Sequence, residues 1–154
     1  KLPMVGARVM GLDDPTKKMS KSTAGANHAI ALLDPPDAIR KKIMRATTDS
    51  APAVDFSSLG AGVENLLTIY QAFSGATDDE MRERFSGMRY GDLKKTVAEM
   101  VIESLAPLQK RYCEIAADPG YIDGILREAA ERVSPIANNT VETVKQRMGL
   151  YTAG

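Results

Sequence analysis

The stretch Pro15-Thr16-Lys17-Lys18-Met19-Ser20-Lys21-Ser22 decides how this chain is interpreted, because it separates a strand-like segment from a long run of helical sequence. Its residues combine three lysines with two serines. Lysine supplies a charged group with three hydrogen-bond donors, and serine supplies hydroxyl and backbone donors without bulk. Such a segment is a poor core element, and we predict that it binds a chain of phosphates.

The segment before this loop is typical of a β-strand. Residues 5–12 mix apolar and β-branched side chains over the length of a strand and stop at the turn formed by residues 13–15. Because the sequence after the loop 13–26 is helical, we expect this buried strand to have no partner within the chain. We also expect the chain, which opens at Lys1 without an initiator methionine, to be a segment of a longer protein that holds the rest of the sheet.

After the loop, apolar residues recur at intervals of three and four, which predicts a succession of α-helices. We expect a short helix over residues 27–33 and a second from Pro36 to Arg45 with Asp34 as its N-cap. We expect a further helix from Gly62 to a left-handed residue at Gly75, and another from a capping box of Thr77 and Glu80 to Gly87. Two longer helices are expected, one from Tyr90 to Ala117 with Pro107 inside and one from an Asp118 cap to Gly149 with Pro135 inside.

Each of these helices except the one over residues 27–33 has a stripe of side chains that we predict to face the core. The stripes are, in chain order, Ile39, Ile43 and Ala46; Val63, Leu66, Leu67, Tyr70 and Phe73; Met81 and Phe85; Leu93, Val97, Val101, Leu105, Leu108, Tyr112 and Ile115; and Ile122, Ile125, Leu126, Ala129, Val133, Ile136, Val141 and Val144. The fold class is therefore predicted to be mainly α, a helical bundle preceded by a short strand and a mobile loop. Residues 47–61, with Ser, Gly, Asp and Pro, are the predicted connecting loop between residues 1–46 and the helical part 62–154.

Composition excludes several classes of site. A single cysteine and a single histidine cannot form an internal disulfide or assemble a metal centre from several such ligands, so we predict no metal site. We expect His28 to lie on a helix face and Cys113 to be a packing residue. No apolar run approaches the roughly 18 residues that a membrane-spanning helix needs, and we expect a cytoplasmic protein with no membrane contact.

The charge is unevenly distributed although the formal net charge is zero. Residues 1–46 contain nine Lys and Arg against four Asp and Glu, and residues 47–154 contain eleven against sixteen. This asymmetry favours phosphate binding near the N-terminal end. The alternative is that solvated helix faces differ in sign without any function.

The sequence KMSKS at residues 18–22 resembles the second signature of the class I aminoacyl-tRNA synthetases. Further motifs at comparable spacing extend the resemblance over essentially the whole chain, and together they resemble bacterial tryptophanyl-tRNA synthetases. These motifs are GARVMGL and DDPTK before the signature, and TDS (48–50), GVENLL (62–67), YGDLKK (90–95) and RMGL (147–150) after it. One departure from the family pattern is Thr23, where many relatives have an acidic residue.

This resemblance implies a fold and a reaction. Residues 1–46 would be the C-terminal edge of a Rossmann-like catalytic domain, and residues 62–154 an α-helical anticodon-binding domain. The family activates tryptophan by attack of its carboxylate on the α-phosphate of ATP bound with Mg²⁺, and then transfers it to tRNA(Trp). The implied partners are tRNA(Trp), ATP, tryptophan and a second copy of the full-length enzyme, and Mg²⁺–ATP would be bound mainly by the remaining catalytic domain.

The resemblance also assigns residue roles. Lys18 and Lys21 would be catalytic, holding the β- and γ-phosphates as pyrophosphate leaves, whereas Lys17 would be solvated or would stabilise the resting loop. The residues implied to bind ATP are Val9, Lys18, Met19, Ser20, Lys21 and Ser22. Cations that could contact tRNA, in no order of preference, are Arg82, Arg84, Arg89, Lys94, Lys95, Lys110 and Arg111.

Two other classes of protein stay open at this point. The first is a stand-alone helical module that binds RNA or protein through a basic N-terminal arm, with strong salt dependence. The second is a helical module with a structural role only. The family's first signature, a histidine-containing loop, is absent from the chain, so we expect this segment alone not to activate tryptophan.

Overall fold

A computed structural model describes residues 6, 8–23, 25 and 27–150, and the regular secondary structure of this described part consists of five α-helices and two isolated β-bridges. The helices are α1 (Pro36–Met44), α2 (Ala61–Ser74), α3 (Asp78–Phe85), α4 (Tyr90–Ala116) and α5 (Pro119–Arg147). The predicted mainly α fold is confirmed. The chain forms two compact units, Lys1–Gln109 and Lys110–Gly154.

One hydrophobic cluster forms the core of the first unit. It includes the fully buried Phe85 of α3, whose ring meets the ring of Tyr70 edge-on with the centroids 4.8 Å apart. Leu12 joins the same cluster from the segment before the lysine-rich loop. Because burial of a large apolar side chain contributes about 1.5–3 kcal/mol, this contact attaches the base of the loop to the helices. The division at residues 47–61 stays a prediction, and the cluster includes residues from both sides of it.

The predicted core stripes of α1 and α3 are confirmed, and so are those of α2 up to Tyr70 and of α4 up to Leu105. Phe73 is different, because its side chain is 44% exposed. It lies one turn beyond Tyr70, where it lines an apolar cleft of about 240 Å³ together with Val9 and Met19. The prediction that Phe73 is a core residue is therefore wrong.

The helix caps follow the sequence with one exception. Thr77 and Glu80 form the predicted capping box of α3, Gly75 ends α2 with a φ of 68°, and Asp118 accepts a hydrogen bond from the backbone N–H of Tyr121 at the start of α5. The N-cap of α1, however, is Pro35, and no side chain caps this helix.

Asp34 does not cap α1 because its carboxylate has other partners. It accepts a hydrogen bond of 2.9 Å from the N–H of Ala31 and an ion pair of 2.6 Å from Lys42. The short helix expected over residues 27–33 is absent, because the chain there forms two turns joined by an irregular segment. His28 lies in the first of these turns and is 1% exposed, so the expectation that it lies on a helix face is wrong.

The expected strand over residues 5–12 is reduced to one antiparallel bridge, between Met10 and Lys18. The strand also has a partner within the chain, contrary to expectation, and this partner is the lysine-rich loop itself. On the other side of Met10 the side-chain amide of Asn65 occupies both backbone groups, so no ladder continues there. Residues 5 and 7 lie outside the described part of the chain.

The second unit comprises the end of α4 and the whole of α5. None of its described residues is buried, and the stripe of α5 that was predicted to face inward is exposed or half-exposed. Tyr112, 52% exposed, and Cys113 are also on the surface, so the prediction that they pack in the core is wrong. Spacing identifies which face of a helix is apolar, but it does not show that another element covers that face.

In the part of the chain that the structure describes, no helix is both long enough and apolar enough to span a bilayer.

Candidate functional site

The lysine-rich loop leaves the body of the protein through a neck of two backbone hydrogen bonds. The N–H of Met19 donates to the carbonyl of Val9 at 2.9 Å, and the N–H of Gly11 donates to the carbonyl of Lys17 at 2.8 Å. These two bonds form the bridge between Met10 and Lys18. We call the residues 9–11 and 17–19 the loop neck.

Asn65 of α2 holds the inner side of the loop neck. Its Oδ1 accepts from the N–H of Met10 at 2.8 Å, and its Nδ2 donates to the carbonyl of Met10 at 2.9 Å. Asn65 is only 5% exposed, so its side-chain amide forms these two hydrogen bonds to the backbone of Met10 in place of hydrogen bonds to water. The neck is thereby joined to a helix that contributes several buried side chains to the core, among them Val63, Leu66 and Tyr70.

A tight turn at residues 14–17 fixes the first lysine of the loop. Asp14 accepts hydrogen bonds from the hydroxyl of Thr16 at 2.6 Å and from its N–H at 3.1 Å, and it forms an ion pair of 2.9 Å with Lys17. The side-chain hydrogen bond from Thr16, followed by that from Lys17, lowers the pKa of Asp14 to about 2. The partnership with Asp14 correspondingly raises the pKa of Lys17. Lys17 is therefore a partner of the turn.

Lys18 and Lys21 differ from Lys17 in having no counter-ion. Both are exposed, and neither forms an ion pair with any residue that the structure describes. The serines between and after them are close to each other, with 3.0 Å between the hydroxyls of Ser20 and Ser22. Two uncompensated ammonium groups on one short loop are suited to a polyanion.

Lys21 also lines a small cleft of about 210 Å³ with Ser20, Thr23 and Lys42. Lys42 is compensated there, because its ammonium group donates to Asp34 at 2.6 Å and to the carbonyl of Ala29 at 2.9 Å and is 17% exposed. Lys21 is therefore the cation of this cleft that is available to an anion. A wider cleft, about 630 Å³, is lined by α2, α3 and the turn between them and contains none of the residues predicted to bind ATP.

His28 is the residue of this site that sequence reasoning missed. Its Nδ1 lies 2.6 Å from Oδ1 of Asp13, and its Nε2 lies 3.1 Å from the carbonyl oxygen of Lys18. The hydrogen bond with Asp13, followed by the bond to the Lys18 carbonyl, raises the pKa of His28. The signal in the sequence was the position of the single histidine just after the loop and of an acidic pair, Asp13 and Asp14, just before it.

Val9 and Met19 lie in the loop neck, where one of the two backbone hydrogen-bonding groups of Val9 already has a partner. Its carbonyl already accepts from Met19, which leaves its N–H and side chain for any other partner. Both side chains line the apolar cleft that also contains Phe73.

Several of the cations considered for tRNA contact are already engaged. Arg82 lies over the ring of Phe56 at 5.3 Å, and Arg84 lies over the ring of Tyr70 at the same distance. Arg89 pairs with Asp92. Lys94 donates to the carbonyl of Ala46 at 2.8 Å, and burial lowers its pKa. Lys95 lies 3.7 Å from the same Asp92, and Arg111 forms an ion pair of 3.2 Å with Glu114. These two side chains and that of Lys110 are exposed on α4, and among the described residues Lys110 forms no ion pair.

Comparison with known proteins gives a consistent result. Residues 3–106 match the family model described as tRNA synthetases class I (W and Y). The tryptophan–tRNA ligase of Wolinella succinogenes is 50% identical over 149 residues, which are 97% of this chain and 45% of that protein. The enzyme of the same name from Helicobacter pylori strain J99 is 51% identical over 146 residues, covering 95% of this chain and 44% of the relative.

Solved structures agree with the sequence comparison. The crystal structure of tryptophanyl-tRNA synthetase from Mycoplasma pneumoniae matches with a TM-score of 0.75 and 30% identity, over 97% of this chain and 45% of that one. The enzyme from Campylobacter jejuni, complexed with ADP and tryptophan, matches in fold with a TM-score of 0.72 at 23% identity, over 93% of this chain and 44% of that one. The chain thus spans about 45% of the length of the curated relatives it matches.

Proposed function

The chain belongs to the class I tRNA synthetases of the tryptophan and tyrosine group, and on this premise we propose that it is the C-terminal part of a bacterial tryptophan–tRNA ligase. In this proposal the loop of residues 18–22 clamps the phosphates of ATP while tryptophan is activated. Identities of 50–51% to tryptophan–tRNA ligases favour tryptophan over tyrosine as the substrate.

The observation that best supports the proposal is the contrast among three lysines of one loop. Lys17 is paired with Asp14, whereas Lys18 and Lys21 have no counter-ion among the described residues. The loop neck fixes the backbone of Lys18, and Lys21 follows two residues after the neck ends at Met19. A charge held on a fixed backbone stabilises a developing negative charge at less cost in reorganisation than a freely moving one.

In the proposed reaction the carboxylate of tryptophan attacks the α-phosphate of ATP, and pyrophosphate leaves. Negative charge then accumulates on the β- and γ-phosphates, where the ammonium groups of Lys18 and Lys21 would stabilise it. Ser20 and Ser22 would donate hydrogen bonds to the same oxygens, and the backbone of Met19 and Val9 would meet the nucleotide.

ATP would reach this site as its Mg²⁺ complex. Among the described residues no cluster of three or more His, Cys, Asp or Glu side chains could hold a metal ion, so this chain's contribution is to the phosphates. We propose that the rest of the catalytic domain seats the nucleotide and selects the indole, and that these 154 residues alone do not activate tryptophan. A cytoplasmic location and a homodimeric full-length enzyme are part of the same proposal.

The helices of residues 62–154 would bind tRNA(Trp) near its anticodon. Because the net charge of residues 47–154 is negative, this contact would be local and would depend on few cations. Lys95, Lys110 and Arg111 are the candidates whose side chains are exposed on α4.

The test is a comparison of Lys21→Ala and Lys18→Ala with Lys17→Ala in the enzyme that contains this segment. We expect the first two to lower tryptophan-dependent ATP–pyrophosphate exchange by about 10²-fold or more, the usual loss when a donor to a developing charge is removed. Binding of tryptophan should change far less, since the contact belongs to the transition state.

Lys17→Ala is the matched control, because it removes the same charge from the same loop but from a side chain that already has a partner. We expect its exchange rate to stay close to that of the wild type. Equal losses in all three variants, or normal turnover when both Lys18 and Lys21 are neutralised, would contradict the proposed clamp. A steep salt dependence of RNA binding that does not depend on which lysine is removed would instead favour a nonspecific basic arm.

A further inference from the structure

Both ring nitrogens of His28 face oxygen atoms. Nδ1 lies 2.6 Å from a carboxylate oxygen of Asp13, and Nε2 lies 3.1 Å from the carbonyl oxygen of Lys18. A carbonyl oxygen and an ionised carboxylate only accept hydrogen bonds, and a neutral imidazole has one N–H to donate. Both contacts are therefore satisfied only when the ring has two protons and is positively charged.

The surroundings of the ring favour this charged form. Asp13 is in direct contact with the ring and Asp14 follows it in the chain, and both carboxylates raise the pKa of His28. From the loop side the ring meets the backbone carbonyl of Lys18. Gly11 leaves room for the ring, since a Cβ at that position would overlap His28.

The acidic partner of His28 is itself fixed to the body of the protein. The N–H of Leu12 donates to the carbonyl of His28 at 3.0 Å. Thr47 then holds the other side of this segment, because its N–H donates to the carbonyl of Leu12 at 2.7 Å and its hydroxyl donates to the carbonyl of Asp13 at 2.8 Å. His28 thus connects a fixed segment to the first residue of the KMSKS sequence.

We propose that protonated His28 is a positioning residue that fixes the backbone of Lys18, and hence the phosphate-binding loop, against Asp13. The proposal deepens the function proposed above and rests on it. When the ring loses a proton, one nitrogen presents a lone pair to an oxygen and one hydrogen bond is lost. The loop then keeps its neck bonds at Gly11 and Met19 but is released at Lys18.

The direction with pH follows from the raised pKa. The contact is fully present below the ordinary histidine pKa of 6.5 and is lost as the pH rises through the higher value of the folded protein. Loop order should therefore fall as the pH rises through the His28 midpoint, which lies above 6.5.

The first experiment uses the fact that the chain contains one histidine. Nuclear magnetic resonance of the 154-residue chain should show a ring protonated at both nitrogens at pH 6.5, with a titration midpoint above that value. The amide of Met19, which follows the Lys18 carbonyl, should shift with the same midpoint. Asp13→Asn should move the midpoint down by about one pH unit or more, whereas Asp14→Asn, which does not touch the ring, should move it less.

A ring that is neutral at pH 6.5, or a Met19 amide that is indifferent to the titration, would overturn the proposal. These readouts need neither ATP nor activity. They therefore separate failure of the His28 contact from failure of the proposed function, which the Lys21→Ala result decides. The wild-type titration also stands if an Asp13 variant does not fold.

The second experiment measures ATP–pyrophosphate exchange against pH in the full-length enzyme, with His28→Gln beside the wild type. Glutamine can donate a hydrogen bond to the Lys18 carbonyl but does not titrate near neutrality. We expect kcat of the wild type to fall by about tenfold, for one hydrogen bond, as the pH rises through the His28 midpoint. This fall should be absent in the variant, with the KM for tryptophan unchanged. Parallel pH profiles of the two enzymes would contradict the assigned role.

Discussion

At the scale of single residues, surroundings rather than residue type separate the three lysines of the loop. Lys17 is engaged by Asp14, whereas Lys18 and Lys21 have no partner among the described residues. The sequence showed the charges and the family signature, and it left Lys17 open between a solvated role and a stabilising one. It could not show the pairing of His28 with Asp13, because this contact joins residues 15 positions apart and depends on how the loop folds back.

Replacing glycine by alanine should have opposite effects on stability at two helical positions, Gly62 and Gly91. A Cβ at Gly62 would overlap the carbonyl oxygen of Thr47, which is backbone and cannot move aside easily, whereas no atom lies within 4 Å of a Cβ at Gly91. We expect Gly62→Ala to lower the free energy of unfolding by about 2–3 kcal/mol. Gly91→Ala, the control, should raise it by about 0.5–1 kcal/mol. Urea unfolding followed by circular dichroism measures both, and equal effects would contradict the close approach at Gly62.

Asn65 offers a second residue-scale prediction. Asn65→Ala would leave the N–H and the carbonyl of Met10 without a partner in a buried place, at a cost of about 1–3 kcal/mol for each group. We therefore expect a loss on the order of 3 kcal/mol in urea unfolding. Asn139→Ala is the matched control, because Asn139 is exposed on α5 and should change stability by less than about 0.5 kcal/mol. A loss of similar size in the control would show that the amide of Asn65 has no special contact.

At the scale of elements, the beginning of α3 depends on one reciprocal cap. Thr77→Ala removes the acceptor for the N–H of Glu80 and should cost about 1 kcal/mol. Thr140→Ala in α5 removes a hydroxyl that bonds within its own helix, and it should be neutral or slightly stabilising. Thermal or urea unfolding compares the two, and a larger loss at Thr140 would contradict the difference between a cap and a mid-helix hydroxyl.

The same cap has a pH dependence. Hydrogen bonds from the N–H and hydroxyl of Thr77 lower the pKa of Glu80 below its ordinary value of 4.5. The stabilisation is thus present above pH 4.5 and is lost as the pH falls through the lower pKa of the folded state. The difference in stability between the wild type and Thr77→Ala should therefore shrink in acid. A difference that stays constant down to pH 3 would show that Glu80 does not take part.

The ends of helices were predictable from the sequence where contacts between near neighbours in the chain determine them. The Thr77 and Glu80 pair, the Gly75 exit and the Asp118 cap all use contacts within a few positions of the chain, so their residue types identify them. Asp34 was misassigned because Lys42 and Ala31 compete for its carboxylate. A cap preference is a local tendency, and a nearby cation can override it.

At the scale of the whole molecule, the buried side chains are concentrated in one part of the chain. Every described residue that is fully buried lies between Gly11 and Leu105, within the first compact unit. Periodicity predicted the apolar faces of α4 and α5 correctly as faces. It could not show that the apolar stripe after Leu105 is exposed in the described chain, because the burial of a helix face depends on which other elements pack against it.

This distribution predicts that stability resides in the first unit. Val133→Ala, in α5 where no described side chain is buried, should change the urea midpoint little. The matched experiment is Phe85→Ala, which removes a fully buried ring and should cost about 3–5 kcal/mol. Losses of similar size in the two variants would contradict this difference in burial.

The amide of Asn65 stands where an adjoining strand would otherwise pair with Met10. Unpaired strand backbone is a template on which other polypeptides assemble, and proteins avoid such templates by blocking them. One side chain from α2 removes this hazard at Met10 without a second strand. The protein can thus keep the bridge at its loop neck and still resist the growth of intermolecular fibrils from that point.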